Sequence, residues 1–526
     1  MIKTRGMLLL GGALTLAACN GANDIASPGT GGNITINNPA PTPTPTPTPT
    51  PPATVTPAAG CPTVADPAGL TDSGTITGPT GTWRVCTLPA RVTRSVTLAK
   101  IPGLLYALGG RVDVGADGGP ATTAADTNVT LTIEPGVIVF GNTGVSWLLI
   151  NRGNRISAIG TPTRPIIFTS RDNILGLNSD SSQGQWGGVV LNGRAQITDC
   201  IAPAATPGTV SCERQTEGAV DPALYGGATN TDNSGRMSYV QIRFSGFVLS
   251  ANSELQALTT QGIGSGTILN HIMSFNSSDD GAEFFGGRVN MKHFISVGAD
   301  DDNLDTDVGI KANFQYVLVV QRAGAGDSMI EADSDNANDG NLPRQNTRVS
   351  NFTFIQRSAN SFGNNASILL RGGTDYGLVN GVLASNPLNP CLRISRAQTA
   401  SGTADTALDE VGAPGFRSVH MQCAAQKYIG SNGVTDARVA EIFGTGTNNN
   451  SDAYTPSLTS TFVNGPVEAA IIAFDASTLD PFFERTTYVG AVRDATDNWY
   501  RNWTCNSTIA DFGVGNTGLC TALPTY

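Results

Sequence analysis

The sequence is poor in charge, in lysine and in aromatic side chains. Charged residues make up 14 % of its 526 residues and aromatic residues 6 %, and only five lysines stand beside 26 arginines. The formal net charge is −11, which argues against a nucleic-acid-binding protein, because such proteins need a basic surface. No lysine follows a glycine, so a P-loop is absent. Three histidines leave little room for a histidine-rich metal enzyme.

Residues 1–18 have the features of an export signal, which is set aside before any fold is considered. Lys3 and Arg5 precede an apolar run, from Met7 to Ala18, that is too short to span a bilayer as a helix. Small residues then precede Cys19, and this ending resembles a bacterial lipoprotein signal. The resemblance implies that the signal is cleaved before Cys19 and that this cysteine is acylated, for example with palmitate. The acyl chains would then anchor the protein stably in a membrane. Asn20 favours the outer membrane or cell surface, with the protein either retained there or released to the medium.

Residues 19–60 form a linker that is predicted to be disordered. Its first part is polar and rich in glycine, and proline alternates with threonine from 39 to 52. Alternating proline favours polyproline II, which is a semi-rigid spacer of about 3.1 Å per residue. We therefore expect a stalk that carries one folded domain, residues 61–526, away from a membrane.

Eight cysteines remain after Cys19, which is an even number for an oxidising compartment. No two cysteines have CxxC spacing, so disulfides are favoured over a cysteine-ligated metal. Eight cysteines allow 105 pairings, and local loop closure favours pairs between sequence neighbours. The expected pairs are Cys61 with Cys86, Cys200 with Cys212, Cys391 with Cys423, and Cys505 with Cys520.

A repeat of about 22 residues is the main fold signal. Asn270-His271-Ile272-Met273 recurs as Lys292-His293-Phe294-Ile295, and a related phrase places Gln315 a further 22 residues after His293. Each phrase alternates over four to six residues and is bounded by turn formers, which is typical of strands. No part of the chain after the signal shows a sustained helical period. Stacked coils of this length close a continuous core, so we predict an all-β, single-stranded parallel β-helix.

The ends of the β-helix need covering, because open strand edges invite aggregation. We expect caps at about 61–125 and about 485–526, with Trp499, Tyr500 and Trp503 covering the last coil. The histidines at one coil position, His271 and His293, are interpreted as a packing ladder rather than as metal ligands. Phe284, Phe285 and Phe294 are interpreted as core residues.

Several phrases together resemble a family of exported bacterial β-helix proteins, many of them lipoproteins and most without an assigned activity. They include IEPG (133–136), PIIFTS (165–170), WGG (186–188) and DDGAEFFGG (279–287). The resemblance spans roughly residues 90–505. It implies a right-handed parallel β-helix and an envelope or extracellular location, and it brings no catalytic residues with it.

The negative charge is concentrated in one part of the chain. Between Asp279 and Asp339 there are thirteen acidic and four basic residues, a net charge of −9, so the rest of the chain carries −2. The 22-residue period stacks Asp279 and Asp280 on Asp301 and Asp302. Clustered carboxylates repel one another and hold their protons more firmly unless a cation compensates. We call these thirteen acidic residues the acidic strip.

Calcium is one explanation of the acidic strip. Asp301, Asn303, Asp305 and Asp307 alternate along the chain, as do Asp333 and Asp335. Oxygen ligands at alternate positions suit a hard cation that takes six to eight oxygens. The EF-hand pattern fails, because no glycine follows Asp305. A solvated turn, in which Asp and Asn are chosen for tight geometry, is the alternative.

Catalysis is a further explanation. Hydrolases of pectin-like chains are also β-helices with aspartates on adjacent coils, which makes Asp279, Asp280, Asp301 and Asp302 the candidate catalytic residues. An inverting pair would need carboxyl groups about 6.5–9.5 Å apart. The Gly-His-Gly and Arg-Ile-Lys phrases of those hydrolases are missing. A lyase would need a base, and the nearby candidates are Arg288, Lys292 and Arg322.

The sequence thus favours a binding or structural protein over an enzyme, displayed on the envelope and stabilised by calcium. The expected partners are the membrane, through the acyl anchor, and a polysaccharide or another envelope or secreted protein. An extracellular polysaccharide hydrolase or lyase is the alternative, and a secreted nutrient-acquisition factor is a second one.

Overall fold

The computed structural model describes residues 54–250, 253–334, 339–359, 366–385 and 389–525. Short strands dominate these residues, and helices are few and short. The strands are, in chain order, β1 (Thr71–Gly78), β2 (Gly81–Thr87), β3 (Arg91–Val92), β4 (Val96–Leu98), β5 (Leu104–Leu108), β6 (Arg111–Val114), β7 (Thr130–Ile133), β8 (Ile138–Gly141), β9 (Trp147–Ile150), β10 (Arg155–Ile159), β11 (Ile166–Ser170), β12 (Val189–Asn192), β13 (Arg214–Gln215), β14 (Leu224–Tyr225), β15 (Gly235–Arg243), β16 (Val248–Ser250), β17 (Ser253–Glu254), β18 (Leu258–Gln261), β19 (Ile268–Phe275), β20 (Ala282–Phe285), β21 (Arg288–Val297), β22 (Asp305–Asp307), β23 (Lys311–Val320), β24 (Ile330–Ala332), β25 (Asn346–Ile355), β26 (Ile368–Leu370), β27 (Asp375–Ala384), β28 (Leu392–Ser395), β29 (Gly415–Gln422) and β30 (Tyr428–Ser431).

Three short α-helices accompany the strands, and none of the described helices is long and apolar enough to cross a membrane. They are α1 (Arg171–Leu175), α2 (Asp436–Phe443) and α3 (Pro466–Ala469). Two 3₁₀ turns lie at Thr406–Leu408 and Ala476–Thr478. Helix α2 begins at its N-cap, Thr435, whose side chain accepts a hydrogen bond from the backbone of Arg438, and it ends at a left-handed Gly444.

The strands form two large sheets that run along the molecule. Sheet 1 has 15 strands, in the order β1-β2-β5-β8-β11-β15-β19-β21-β23-β25-β27-β29, with β4, β7 and β10 joined to it at β15. Sheet 2 has 11 strands, in the order β3-β6-β9-β12-β18-β20-β22-β24-β26-β28-β30. Every pair in the two sheets is parallel except β1 with β2, whose hairpin covers the first edge of sheet 1. The chain therefore visits the two sheets alternately and forms a parallel β-helix, as the sequence predicted.

Each long strand of sheet 1 bends at one left-handed residue, so each coil has three faces. Tyr239, His271, His293 and Tyr316 have φ between 51° and 63°, and the ladder of β15, β19, β21 and β23 skips these positions. Their rings stack with centroids 4.1–4.8 Å apart. The packing ladder expected for the two histidines is confirmed. We call the residues before and after this bend the first and second halves of sheet 1.

The register of the repeat differs from the sequence prediction at one coil. The sequence places Gln315 opposite His293, whereas the structure stacks Tyr316 on His293 and pairs Gln315 with Lys292. The cause lies in the turn after β22, which has three residues, 308–310, where the turn after β20 has two. One extra residue in a turn shifts every later position of that coil by one.

The core fills the coils with alternating side chains. Phe284 and Phe294 are fully buried inside, as predicted. Phe285 is different, because neighbouring residues of a strand point to opposite faces. Its side chain lies outside the coil and packs against Tyr225, with ring centroids 6.2 Å apart.

All four predicted disulfides are confirmed. Their S–S distances are 1.94–2.03 Å, and their sequence separations are 12 to 32 residues. The pairs are Cys61–Cys86, Cys200–Cys212, Cys391–Cys423 and Cys505–Cys520.

The start of the folded unit lies earlier than expected. The linker was placed at 19–60, but Val55 donates its backbone N–H to the oxygen of Thr80 at 2.9 Å, and Ala58 donates to Gly103 at 3.1 Å. Residues 54–60 therefore belong to the unit that contains the coils. The signal and most of the linker lie outside the described residues.

The expected cap at 485–526 is wrong in its position. Helix α2 covers the last coil, where Phe443 packs on Phe416 with centroids 5.3 Å apart. The C-terminal segment instead runs back along the outer surface of sheet 1. Trp503 packs edge-on against His271 at 5.5 Å, and Leu523 joins a cluster with Trp83 near the first coils. Apolar residues on the outside of sheet 1 explain this path, because they need a cover of their own.

Candidate functional site

An acidic cleft of about 940 Å³ lies on the outer face of sheet 2. Its floor is formed by β20, β22 and β24, whose register places Glu283, Asp305 and Glu331 side by side. Adjacent strands are about 4.8 Å apart, so these carboxylates are close neighbours. The acidic cleft is lined by twelve carboxylates and two arginines: Asp199, Glu217, Glu254, Asp279, Asp280, Glu283, Asp301, Asp302, Asp305, Asp307, Glu331 and Asp333, with Arg214 and Arg371.

The wall of the cleft comes from an insertion between β12 and β15. The strands β13 and β14 pair in antiparallel fashion within it, and the Cys200–Cys212 disulfide closes the loop beside them. Arg214 pairs with Asp199, also in this insertion, at 2.7 Å. The hairpin of β16 and β17 adds Glu254 to the lining. The site is thus a walled groove rather than a flat acidic turn.

Four carboxylates of the cleft come from the turns that lead into sheet 2. Asp279 and Asp280 precede β20, and Asp301 and Asp302 precede β22, as the repeat predicted. The carboxylate of Asp280 accepts the backbone N–H of Asp302 at 2.8 Å, and that of Asp302 accepts the N–H of Ser328 at 2.6 Å. Asp280 and Asp302 therefore hold one coil to the next, while Asp279 and Asp301 are more exposed to the cleft.

Three groups of these acids bring oxygen atoms within 4.8 Å of one another. The groups are Asp279, Asp280 and Asp301; then Asp280, Glu283 and Asp305; then Asp301, Asp302 and Asp327. The first group shares Asp280 with the second and Asp301 with the third, so the three groups form a continuous row across adjacent coils. Such clusters of oxygen atoms match the ligands that calcium prefers.

Burial and mutual repulsion raise the pKa of the carboxyls in this row. Burial, followed by the charge of Asp301, raises the pKa of Asp279 to about 7. Burial, followed by the charge of Asp327, raises the pKa of Asp301 to about 6. A positive ion bound between these groups would favour their charged forms and lower both pKa values.

The pKa values of the carboxyl groups on the floor are raised as well. The pKa of Glu283 is raised well above its usual range by burial and then by Asp305. The pKa of Asp305 is raised by burial and then by Glu331, and that of Asp307 by burial and then by Asp333. The floor is therefore costly to ionise without a cation.

The arginine at the end of the floor was missed by sequence reasoning. The guanidinium of Arg371 contacts Glu331 and lies 3.0 Å from Asp333. The bases suggested by the sequence do not line the cleft. Lys292 pairs with Glu484 at 2.6 Å, Arg322 pairs with Asp300 at 3.1 Å, and Arg288 lies in a different groove.

The residues that the sequence predicted as alternating calcium ligands do not converge on one calcium site in a single loop. Asp301, Asp305, Asp307 and Asp333 line the cleft, but Asn303 is fully buried inside the coil. Its amide oxygen accepts a hydrogen bond from Ser296 at 2.9 Å, and its nitrogen donates to Ser328. Asp335 lies outside the described residues.

The acidic strip of the sequence and the lining of the acidic cleft do not contain the same carboxylates. Asp300 and Asp339 belong to the acidic strip but pair with arginines away from the cleft. Asp199, Glu217 and Glu254 lie outside the strip in sequence and yet line the cleft. Nothing in the sequence pattern signals these three, because they reach the cleft through an irregular insertion and a short hairpin.

Comparison with known proteins gives one match. A family model described as a pectate-lyase-like β-helix domain matches residues 120–462. This range contains the whole floor and wall of the acidic cleft. No curated protein and no solved structure matches the chain.

Proposed function

The chain belongs to the family of pectate-lyase-like β-helix domains, and on that basis we propose that it is a binding protein whose acidic cleft takes up calcium. The observation that carries this proposal is the row of three overlapping carboxylate groups, each with oxygens within 4.8 Å of one another. Calcium supplies the positive charge that the row lacks and coordinates its oxygens.

The charge balance of the cleft supports a cation as its ligand. Among the residues that the structure describes, twelve carboxylates face two arginines in the cleft, and both arginines are already paired with cleft acids. Glu283, on the floor of the cleft, is 8 % exposed. Buried charges are costly unless they are paired or coordinate a metal, so calcium offsets a cost that the two arginines leave uncompensated.

The geometry favours binding over hydrolysis by the predicted aspartates. The oxygens of Asp279, Asp280 and Asp301 lie within 4.8 Å of one another, which is closer than the separation of about 6.5–9.5 Å that an inverting pair needs. Asp280 and Asp302 are also engaged by backbone N–H groups. Neither of these two carboxylates is therefore well placed to exchange a proton with a substrate.

Thermal unfolding with calcium and with a chelator tests this proposal. We expect calcium to raise the melting temperature of the wild type, since a ligand that binds only the folded state stabilises it. Asp279→Asn and Asp301→Asn should reduce that shift, and Asp511→Asn, in an exposed part of the C-terminal segment, should leave it intact. An identical melting temperature with calcium and with chelator would overturn the proposal.

Cleavage of an acidic polysaccharide is the second candidate function. The family membership favours it, and so does Arg371, a cation at the end of a walled acidic groove. Calcium in the groove would draw the carboxylates of such a chain towards Arg371. Release of reducing ends from acidic and neutral polysaccharides measures this activity. Activity that survives both Asp279→Asn and Arg371→Gln would rule out this cleft as its source.

We also propose that the protein is exported as a lipoprotein acylated on Cys19. The support is the signal-like sequence of residues 1–18 and the proline-rich linker after it. Four disulfides among the described residues fit an oxidising compartment. Labelling with a palmitate analogue tests the proposal, with Cys19→Ala as the variant expected to lose both the label and membrane association. Equal labelling of the variant would contradict it.

A further inference from the structure

Half of the carboxylates of the acidic cleft lie outside the row of three carboxylate groups. Among the residues that the structure describes, twelve carboxylates line the cleft, and six of them belong to none of the three groups. These six are Asp199, Glu217, Glu254, Asp307, Glu331 and Asp333. Together with Arg214 and Arg371, which line the same cleft, they carry a net charge of −4. Calcium in the row would leave this charge uncompensated.

A second line of side chains runs beside the floor, on the same outer face of sheet 2. The register pairs Gln261 of β18 with Phe285 of β20, and Phe285 with Asp307 of β22. Asp333 follows β24 directly and continues the line on the next coil. Adjacent strands are about 4.8 Å apart, so an aromatic ring and two carboxylates lie next to one another along the cleft.

Tyr225 covers this line from the insertion between β12 and β15. Its ring packs against Phe285 with centroids 6.2 Å apart, and the residue is only 1 % exposed although it lines the cleft. In the described part of the chain, the hydroxyl of Tyr225 makes no hydrogen bond. Buried tyrosine hydroxyls usually have a partner. This hydroxyl is therefore free to bind a ligand that enters the cleft.

The charges around the Tyr225 hydroxyl indicate which ligand it would bind. Burial raises the pKa of Tyr225 well above its usual range, Arg214 opposes this rise, and Asp307 and Asp199 add to it. The hydroxyl is therefore neutral and can accept a hydrogen bond from a cation. Arg214 pairs with Asp199 at 2.7 Å, but its side chain is 42 % exposed, so an entering cation can take its place. We call Asp199, Tyr225, Phe285, Asp307 and Asp333 the aromatic end of the cleft.

The mouth of the cleft beside the aromatic end is apolar. Ile201 and Val220 belong to the same insertion and line the cleft, and they are 57 % and 93 % exposed. Exposed apolar side chains that adjoin a polar pocket are typical of surfaces that contact another protein. A basic side chain with apolar neighbours on its own chain matches both the charge of the aromatic end and the character of its mouth.

We propose that the aromatic end of the cleft binds an arginine side chain of a partner polypeptide, whose neighbouring apolar residues cover Ile201 and Val220. A guanidinium is planar, carries five donors and stacks on aromatic rings. It can therefore donate to the carboxylate of Asp307 and to the hydroxyl of Tyr225 together. The proposal goes beyond calcium binding and does not depend on it, because these groups lie outside the row of three carboxylate groups.

Calorimetry on the full chain, once with calcium and once with a chelator, tests the proposal. The probe is a blocked tripeptide, valine-arginine-valine, and its control carries citrulline, a neutral analogue, in place of arginine. We expect saturable binding of the arginine peptide in both media. Tyr225→Phe, which removes only the hydroxyl, and Asp307→Asn should each weaken this binding about tenfold or more. Asp511→Asn removes the same charge from an exposed position in the C-terminal segment and should leave the affinity unchanged.

The mouth of the cleft is tested separately. Val220→Ser should weaken binding of the tripeptide severalfold and should leave binding of argininamide, which has no apolar neighbours, unchanged. Equal loss for both probes would contradict the role of the mouth, and spermidine bound as tightly as the tripeptide would refute a polypeptide partner.

The remaining outcomes separate this proposal from that of a calcium site. Equal affinity for the citrulline peptide, or wild-type affinity in Tyr225→Phe, would overturn it. Equal weakening by Asp307→Asn and Asp511→Asn would also overturn it, because general attraction to an acidic protein would then explain the binding. Binding of the arginine peptide by a protein that shows no calcium response would support this proposal while the calcium site fails, and a calcium response without peptide binding would refute this proposal alone.

Discussion

Without a bound cation, Asp279 should destabilise the folded protein as the pH rises, which is the reverse of the usual contribution of a carboxyl group. The pKa of Asp279 is raised from 3.8 to about 7 by burial and then by the charge of Asp301. Between these two pH values the folded state holds a proton that the unfolded state has released. Stability therefore falls as pH rises through this window, and it is fully present only below about pH 4.

The magnitude follows from the shift of this one group. A difference of about 3 pKa units, at 1.36 kcal/mol for each unit, corresponds to about 4 kcal/mol of destabilisation above pH 7. Asp301 shifts in the same direction. The two carboxyls repel each other, so their effects belong to the pair and do not add as separate contributions.

Urea unfolding in a chelator at pH 4.5, 6 and 8 measures this effect. Because the buried histidines oppose this trend in acid, the quantity to compare is the stability of Asp279→Asn minus that of the wild type at each pH. Asp279→Asn should gain up to about 4 kcal/mol on the wild type as the pH rises from 4.5 to 8. Asp511→Asn should follow the wild type at each pH. A difference between Asp279→Asn and the wild type that is the same at pH 4.5 and at pH 8 would contradict the prediction.

Three further predictions concern other parts of the molecule. Burial lowers the pKa of His271 to about 4 and that of His293 to about 2, so acidification below about pH 6.5 should weaken the ring ladder and its cover. Lower protection of Trp499 and Trp503 from hydrogen exchange in acid, after correction for the intrinsic exchange rate at each pH, would show this. Unchanged protection down to pH 4.5 would contradict it. Replacing Cys391 and Cys423 by serine opens a loop with a separation of 32 residues and should cost about 4 kcal/mol in urea unfolding; a loss below about 1 kcal/mol would contradict the prediction. Arg371→Gln should lower the free energy of unfolding of the calcium-free protein by about 1 kcal/mol, since Glu331 and Asp333 lose their cation. Calcium should restore the stability that this variant loses, and a loss that calcium leaves unchanged would contradict the prediction.

The β-helix could be predicted because successive coils of equal length repeat the same residues at a constant spacing along the sequence. The 22-residue spacing between Asp279 and Asp301 reflects one coil, and the structure stacks these turns as expected. The spacing misleads where a turn changes length, as between β22 and β23, where one added residue brings Tyr316 rather than Gln315 onto His293. Local patterns specify strands and disulfides well, because both depend mainly on near neighbours.

The site could be predicted only in part, since half of it is built by irregular segments. The repeat places the turn carboxylates, and alternation along β22 directs Asp305 and Asp307 to one face. The same alternation cannot place Asn303, which lies in a turn and points inward. Arg371 and Glu217 reach the cleft from a later coil and from an insertion, so no spacing along the chain connects them with the acidic strip.

The C-terminal segment shows a related limit. Its aromatic residues indicate a cover for exposed apolar surface, but the sequence does not say which surface needs it. The outer face of sheet 1 carries Met273, Phe275 and Ile295, and Trp503 packs against this face. A choice between two apolar surfaces depends on tertiary packing, which the order of residues alone does not reveal.

Direct calorimetric titration of calcium into the protein at pH 6.5 is the decisive measurement for the acidic cleft. We expect saturable binding and release of protons, because calcium lowers the pKa of Asp279 and Asp301. Proton release appears as a dependence of the heat on the ionisation enthalpy of the buffer. The double variant, Asp279→Asn with Asp301→Asn, should bind at least tenfold more weakly. Absence of saturable binding to the wild type, or equal affinity in the double variant, would contradict the claim that the acidic cleft is a calcium site.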